Sequence, residues 1–516
     1  MKKNMLIGID VGSTNIKSVV FDRNLNILAN QSKEVEILFP NPGWTEYDPD
    51  DWWNYVKETL QLSIQKANIN PAAIAGIGVS SLGCCTVPLD SKGDHLYNAI
   101  PWSDQRAGEE VEFLENNCRD RIYAACGNIP TVLSATPHLM WLKNHEPEAY
   151  SRTYKYTEAS GYIVQKLTGE FVLDYSIASA LDYGFDIHRL DYDPELIDAM
   201  GLDLDKYPRL HENRKPVAGL SQKAAQETGL LEGTPVYLGG LDIVTGALAG
   251  GAVRVGQGFY SMGSASNMMI VADKKHQSEY MTSVMHVTDP GFKILFGSQA
   301  TIGFSLKWFA EQFGDQEKQA ANILGDAISN FEIMTAEAMK TAPGAGGIIY
   351  FPYLFGKFHP VFNPHASGAF FGITATSTKS QMIRSIMEGC TFNMYETIKS
   401  ASQIGIELDE IITSGGPTNS QLWCQIISDV TNTKVVTINT PEATPLGNAI
   451  LVGVGEGLFE SFEQATEQFI KRERTYQPDA KRHELYEELF GLYDRIYQSL
   501  VPRFKDHATL KKRFFS

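Results

Sequence analysis

The sequence predicts an α/β protein built as two large domains. A chain of 516 residues exceeds what one ordinary core serves. From the start, segments that read as strands alternate with segments that read as helices. A strand–turn–strand unit at the beginning is repeated near the middle. The division this predicts is residues 1–250 and 251–516, the second part ending in helices.

Leu6 to Asp22 reads LIGIDVGSTNIKSVVFD. One apolar run ends in Asp10, a Gly-Ser-Thr turn follows, and a second apolar run begins, which is a β-hairpin. Asn26 to Glu36 extends it as a third strand. Asp48 to Ala67 reads as a helix carrying Trp52, Trp53 and Tyr55. The short apolar run IAGIGVS, Ile74 to Ser80, fits a buried parallel strand. Gly239 to Gly256, GGLDIVTGALAGGAVRVG, is rich in small residues that let a helix pack closely on its neighbours.

Gln257 to Val271, QGFYSMGSASNMMIV, repeats the opening hairpin around a Gly-Ser-Ala-Ser turn. Thr378 and Gln381 fit a capping box, and Met382, Ile383, Ile386, Met387 and Cys390 then fall at helical spacing. Leu408 to Thr413 reads as a strand leading into Ser414-Gly415-Gly416-Pro417, with a helix from Ser420 to Val430. The chain from Phe459 onward reads as helices covering the second domain.

Hydrophobic residues make up 43% of the chain and charged residues 20%, as in ordinary globular proteins. The formal net charge of -17 repels nucleic acid and anionic lipid, so neither is an expected partner. Cys84, Cys85, Cys118, Cys126, Cys390 and Cys424 form no CxxC pair and have no histidine at zinc-ligand spacing, so reduced thiols are expected. Lys2 and Lys3 precede an apolar run as in a signal peptide, but Asp10 interrupts it and no cleavage site follows. No segment approaches the roughly 20 apolar residues of a membrane helix. A cytoplasmic protein and a homodimer are the expectation.

Three turns follow strands and suit phosphate or nucleotide: Gly12-Ser13-Thr14, Gly263-Ser264 and Gly415-Gly416. Small polar turns let backbone N–H groups approach an anion, and the third opens a helix whose first N–H groups can do the same. Asp10 cannot itself bind phosphate, so it implies a cation such as Mg2+ between them. The two hairpins would then grip a phosphate chain from both sides of a cleft. There is no G-x-x-x-x-G-K-[ST] run, and no G-x-G-x-x-G between strand and helix in the first domain. Asp242 lies in a nearly uncharged segment, so it must be hydrogen-bonded, metal-linked or catalytic; capping a helix is compatible with these. In Trp102 to Arg106, WSDQR, an aromatic face suits a sugar and the charges suit hydroxyls, while a core Trp with a surface ion pair fits equally.

With these motifs the chain resembles the FGGY carbohydrate kinases. The likeness runs from IDVGSTNIKSVVFD through PGWTEYDPDDWW, AIPWSDQRA, GGLDIVTGALAGG, MGSASN and FFGITATSTKSQMIRSIMEG to SGGPTNSQLWCQIISDV and EATPLGNAILVGVGEG. It implies two RNase H-like domains of the actin and hexokinase type around a central cleft, and ATP with Mg2+ as cofactors. Asp242 matches the catalytic base and Asp10 the acid that holds the metal. Gly12, Ser13, Thr14, Lys17, Gly263, Ser264, Gly303, Lys307, Gly415, Gly416 and Ser420 match nucleotide contacts. Leu82, Gly83, Trp102, Asp242 and Ile243 fall in the acceptor site.

The acceptor site departs from better-known members. Ser81-Leu82-Gly83-Cys84-Cys85 stands where glycerol kinases carry Arg-Glu and xylulose kinases Met-His. Ile243 replaces a polar residue, and Gly356-Lys357-Phe358 replaces Gly-Glu-Arg. The expected reaction is phosphorylation of a hydroxyl of a small sugar or polyol, a xylulose-like pentulose being favoured. Autoinducer-2, glycerol and gluconate are the alternative acceptors. A non-catalytic actin-like sensor is the alternative of another class.

Overall fold

The opening strand, Met5–Val11, pairs antiparallel with Asn15–Phe21, in a register that sets Asp10 opposite Lys17. The computed structural model describes residues 3–325 and 328–515. It divides into two compact units, one of Met1–Val255, Val271–Ile294 and Thr440–Ile470, the other of Gly256–Ile270, Leu295–Asn439 and Lys471–Ser516. By compactness, two later segments, Val271–Ile294 and Thr440–Ile470, group with the first unit.

The first unit is built on a six-stranded sheet. Its order is Ala218–Gly219, Pro235–Leu241, Ile74–Ser81, Met5–Val11, Asn15–Phe21 and Ile27–Glu34. Ile74–Ser81 runs parallel to both Met5–Val11 and Pro235–Leu241, as its apolar run predicts, and is buried at every position.

The central strands have two different faces. Ile7, Ile9, Val11, Ile77 and Val79 pack into one core with Trp52, Val56 and Leu60 of helix Pro49–Ala67. The opposite face is glycine. A methyl group on Gly8 would lie 2.1 Å from the Pro445 carbonyl oxygen, on Gly76 2.8 Å from Val452, and on Gly78 2.9 Å from Asn448. Helix Ala443–Gly455 lies against this face, closer than any side chain would allow. Side chains alternate along a strand, so Asp10 points to the same side as Gly8.

The second unit repeats this topology. Gln257–Met262 pairs antiparallel with Ser266–Asp273 and parallel with Glu410–Ser414, which is parallel to Lys434–Ile438. Phe292–Gln299 adjoins Ser266–Asp273, as Ile27–Glu34 adjoins the first hairpin. The expected duplication is thus present in the strand order.

The all-helical reading of the end of the chain is corrected. Helices Phe462–Phe469 and Ala480–Phe514 form, but Arg472–Tyr476 between them is a strand pairing antiparallel with Lys434–Ile438. It lies at the edge of its sheet, and its charged, exposed residues suit that place. Helix Phe462–Phe469 belongs to the first unit rather than covering the second.

The capping box at Thr378 and Gln381 forms in both directions and starts the 25-residue helix Lys379–Gln403. Lys357 is a structural departure: its buried ammonium lies 2.6 Å from Glu396 and 3.8 Å from the ring centre of Tyr497. All six cysteines are free, five buried and Cys84 half-buried. Among the described residues no helix is long and apolar enough to cross a membrane.

Candidate active site

Three adjacent parallel strands of the first unit end at one edge. Ser80 is in register with Asp10 on one side and Gly240 on the other, and Asp242 follows two residues later. Two strand spacings separate the acid-bearing chains, about 10 Å. The space beyond the carboxyl ends of parallel strands is where α/β proteins receive ligands.

Asp10 Oδ1 is sealed from solvent and has no hydrogen-bond partner. Burial pushes its carboxyl up to about 8, the Asp242 charge adds to the rise, Lys17 opposes it and Glu442 adds further. An unpaired buried carboxylate is costly, and a divalent cation with oxygen preference offsets that cost. A single carboxylate so placed fits a cation whose other ligands would be largely water.

Asp242 begins helix Asp242–Ala249. It is the first helical residue and not the cap, a position held by Leu241. Its Oδ1 accepts the Ile243 N–H at 2.7 Å, and burial pushes the carboxyl up to about 6 against that bond. A carboxylate so placed is near enough to neutrality to accept a proton at ordinary pH.

The segment Leu82–Cys84 packs against Leu241, the residue before this acid. Gly83 has φ +64°, and a methyl group there would fall 1.9 Å from Leu241 Cδ1. Burial and the Asp242 charge both push the Cys84 thiol up. Cys85 pairs with Pro101, which brings Trp102 to the same end. Trp102 is 42% exposed and so is free to offer its ring.

The neighbours of Trp102 behave differently. Asp104 and Arg106 do not form a surface pair and are not open to hydroxyls. Asp104 accepts the Thr45 N–H at 2.6 Å and Arg106 Nε at 2.9 Å, and Arg106 also reaches Glu46 at 2.9 Å. The guanidinium lies between Trp44 and Trp141, 4.0 and 4.9 Å from their ring centres. This buried cluster anchors the turn that presents Trp102.

The hairpin tip Gly12-Ser13-Thr14 is held from below. Tyr47 donates to the Ser13 carbonyl at 2.9 Å, and Val35 N–H to the Thr14 carbonyl at 2.9 Å. Lys17 lies 2.7 Å from Glu442. Sequence reasoning passed over Glu442, although it stands in the EATPLGNAIL motif. Asn448, also passed over, donates to the Ile9 carbonyl and to Ser80 Oγ, both at 2.8 Å.

In the second unit the remaining turns come together. Gly303 N–H donates to the Gly263 carbonyl at 3.1 Å and Phe304 N–H to the Ser264 carbonyl at 3.2 Å. Gly415, at φ +111°, approaches so closely that a methyl group would lie 1.9 Å from the Met262 carbonyl oxygen. Gly416 follows in a short 3-10 turn. Lys307 is exposed one turn beyond Gly303, 3.9 Å from Glu311. Ser420 caps helix Gln421–Thr431 through the Trp423 N–H at 3.2 Å. Register places Ser261 and Asn267 opposite each other, where the first hairpin has Asp10 and Lys17.

The FGGY family of carbohydrate kinases matches the chain with its N-terminal domain over residues 5–249 and its C-terminal domain over residues 258–456. The chain belongs to this family. It is a carbohydrate kinase, transferring phosphate from ATP to an alcohol group of a small sugar or polyol, a reaction the family generally runs with a divalent metal. The xylulose kinase of Bacillus subtilis is 28% identical over 512 residues, covering 99% of each chain. The autoinducer-2 kinase of Yersinia enterocolitica is 28% identical over 511 residues, covering 95% of this chain and 94% of the relative. The crystal structure of xylulose kinase from Rhodospirillum rubrum superposes with a TM-score of 0.88 at 25% identity, covering 97% of this chain and all of that one.

Proposed function

We propose that the enzyme phosphorylates a xylulose-like ketopentose, with Asp242 as base and Asp10 as the acid that holds Mg2+. The observation that carries this is the pair of acids at the ends of parallel strands along one sheet edge, Asp10 on its strand and Asp242 just past the end of Pro235–Leu241, with Gly83 packed against Leu241. Likeness to xylulose kinases along nearly the whole chain supports the acceptor class. Phosphoryl transfer is loose, so Asp242 has mainly to orient the acceptor hydroxyl and take its proton late. Held there, Mg2+ would supply charge that offsets what develops on the phosphoryl oxygens.

The chain's own groups divide the remaining work. Gly12, Ser13, Thr14 and Lys17 meet phosphate, and Gly263, Ser264, Gly303, Lys307, Gly415, Gly416 and Ser420 meet the nucleotide. Leu82, Gly83, Trp102 and Ile243 shape the acceptor site. They offer few hydrogen-bonding side chains, so selection among sugars rests on shape and backbone groups. A sugar kinase works where ATP is made, which favours the cytoplasm.

The test is ADP release over ketopentoses, pentitols, gluconate, glycerol and autoinducer-2. D- or L-xylulose should give the highest kcat/KM. A higher value for any acceptor outside the ketopentoses would overturn the substrate assignment.

A further inference from the structure

Glu442 stands in an unusual conformation. Its φ is +57° and ψ +52°, a left-handed geometry that residues with a side chain adopt at a cost. It occupies the N-cap position of helix Ala443–Gly455, yet makes no side-chain cap bond. Both its oxygens turn elsewhere, Oε2 to Lys17 Nζ at 2.7 Å and Oε1 to Asn30 Nδ2 at 3.0 Å.

Lys17 has a nearer natural partner. It is the cross-strand register partner of Asp10, on the same face of an antiparallel pair. Opposite charges so placed attract and ordinarily pair. Here the Asp10 Oδ1 atom is buried and has no hydrogen-bond partner. The ammonium lies instead 2.7 Å from Glu442 Oε2.

We propose that Glu442 is a positioning residue that holds Lys17 off Asp10 and so keeps the Asp10 carboxylate open for the metal. This rests on Asp10 being the metal-holding acid. Without Glu442, Lys17 swings onto Asp10 and its ammonium takes the cation's place. Glycine at 442 keeps the left-handed backbone without strain, so Glu442→Gly removes the carboxylate and spares the fold.

The experiment compares the affinity of the full chain for Mn2+-ADP with that for ADP in EDTA, by calorimetry. The ratio of the two reports the metal's contribution, whatever the nucleotide affinity. In the wild type Mn2+ should tighten binding, and Asp10→Asn should abolish the gain. Glu442→Gly should reduce it about tenfold, the scale of outer-shell effects on metal affinity. In a Lys17→Met background the same change at 442 should alter it less than about twofold, because no ammonium remains to intrude. A purely structural role for Glu442 predicts equal losses in both backgrounds and would overturn the proposal. A full gain retained in Glu442→Gly overturns it as well. Loss of the gain in Asp10→Asn with none in Glu442→Gly leaves the metal assignment standing and removes only this inference. An unchanged ratio in Asp10→Asn removes both. Should Glu442→Gly not fold, Glu442→Gln carries the same comparison, with a loss of at least about threefold expected.

Discussion

The Pro445 carbonyl oxygen lies 2.1 Å from where a methyl group on Gly8 would be. The obstacle is backbone, so the alanine can be admitted only by displacing the start of helix Ala443–Gly455. Gly8→Ala should cost about 1–3 kcal/mol, the usual penalty of overpacking. It should also lower kcat, because the displaced turn carries Glu442. Gly246, in the helix that Asp242 begins, has open space where a methyl group would stand, with no atom within 4 Å beyond its own helix backbone and chain neighbours. Gly246→Ala should therefore leave stability level or raised. Urea unfolding and steady-state kinetics of the two variants check this contrast.

The proposed role of Asp242 as base requires it to be ionised. Burial pushes its carboxyl up to about 6, so kcat/KM should be flat from neutrality upward and fall about tenfold per pH unit below pH 6. Asp242→Asn should lower kcat by a factor of about 100–10,000 while ATP still binds. Near-normal turnover in this variant would assign the base elsewhere.

Gly83 combines φ +64° with a close approach to Leu241. Gly83→Ala would strain a left-handed backbone position and force the Leu241 side chain to move, one residue from Asp242. The expected result is a KM for the sugar raised about tenfold, with the KM for ATP unchanged within about twofold. Equal effects on both substrates would place the segment outside the acceptor site.

Glu410 ties the second unit's sheet together. Burial pushes its carboxyl up, but Arg472, Lys434 and Gln257 outweigh this and hold it down at about 2. A lowered folded value means that the stabilisation is present above the unfolded carboxyl's range near 4.5 and disappears as pH falls toward 2. The Arg472 side chain is 49% exposed, so solvent screens the pair, and Glu410→Gln should cost only about 1–2 kcal/mol at pH 7. Denaturation curves at pH 7 and pH 3 should show the gap between wild type and variant narrowing at the lower pH.

Much of this was legible in the sequence because the signals are local. The hairpins announce themselves by apolar runs around a glycine turn, and the helix at Thr378 by its cap and spacing. What escaped depends on distant segments. Arg472–Tyr476 reads as polar and unpatterned until Lys434–Ile438 lies beside it. The Arg106 cluster joins Trp44, Glu46 and Trp141, all far from Arg106 in the chain, so WSDQR alone reads as well for a surface pair. Glu442 is 425 residues from Lys17, and no spacing rule connects them.

The division of the central strands into an apolar face and a glycine face also governs which mutations they survive. At Ile7, Ile9, Ile77 and Val79 the chain can drift among aliphatic residues of similar bulk, since cores repack. At Gly8, Gly76 and Gly78 the first extra carbon meets a helix. Scored over all substitutions, tolerance along these strands should rise and fall with a period of two, recording the distance of a helix that appears nowhere in their own sequence.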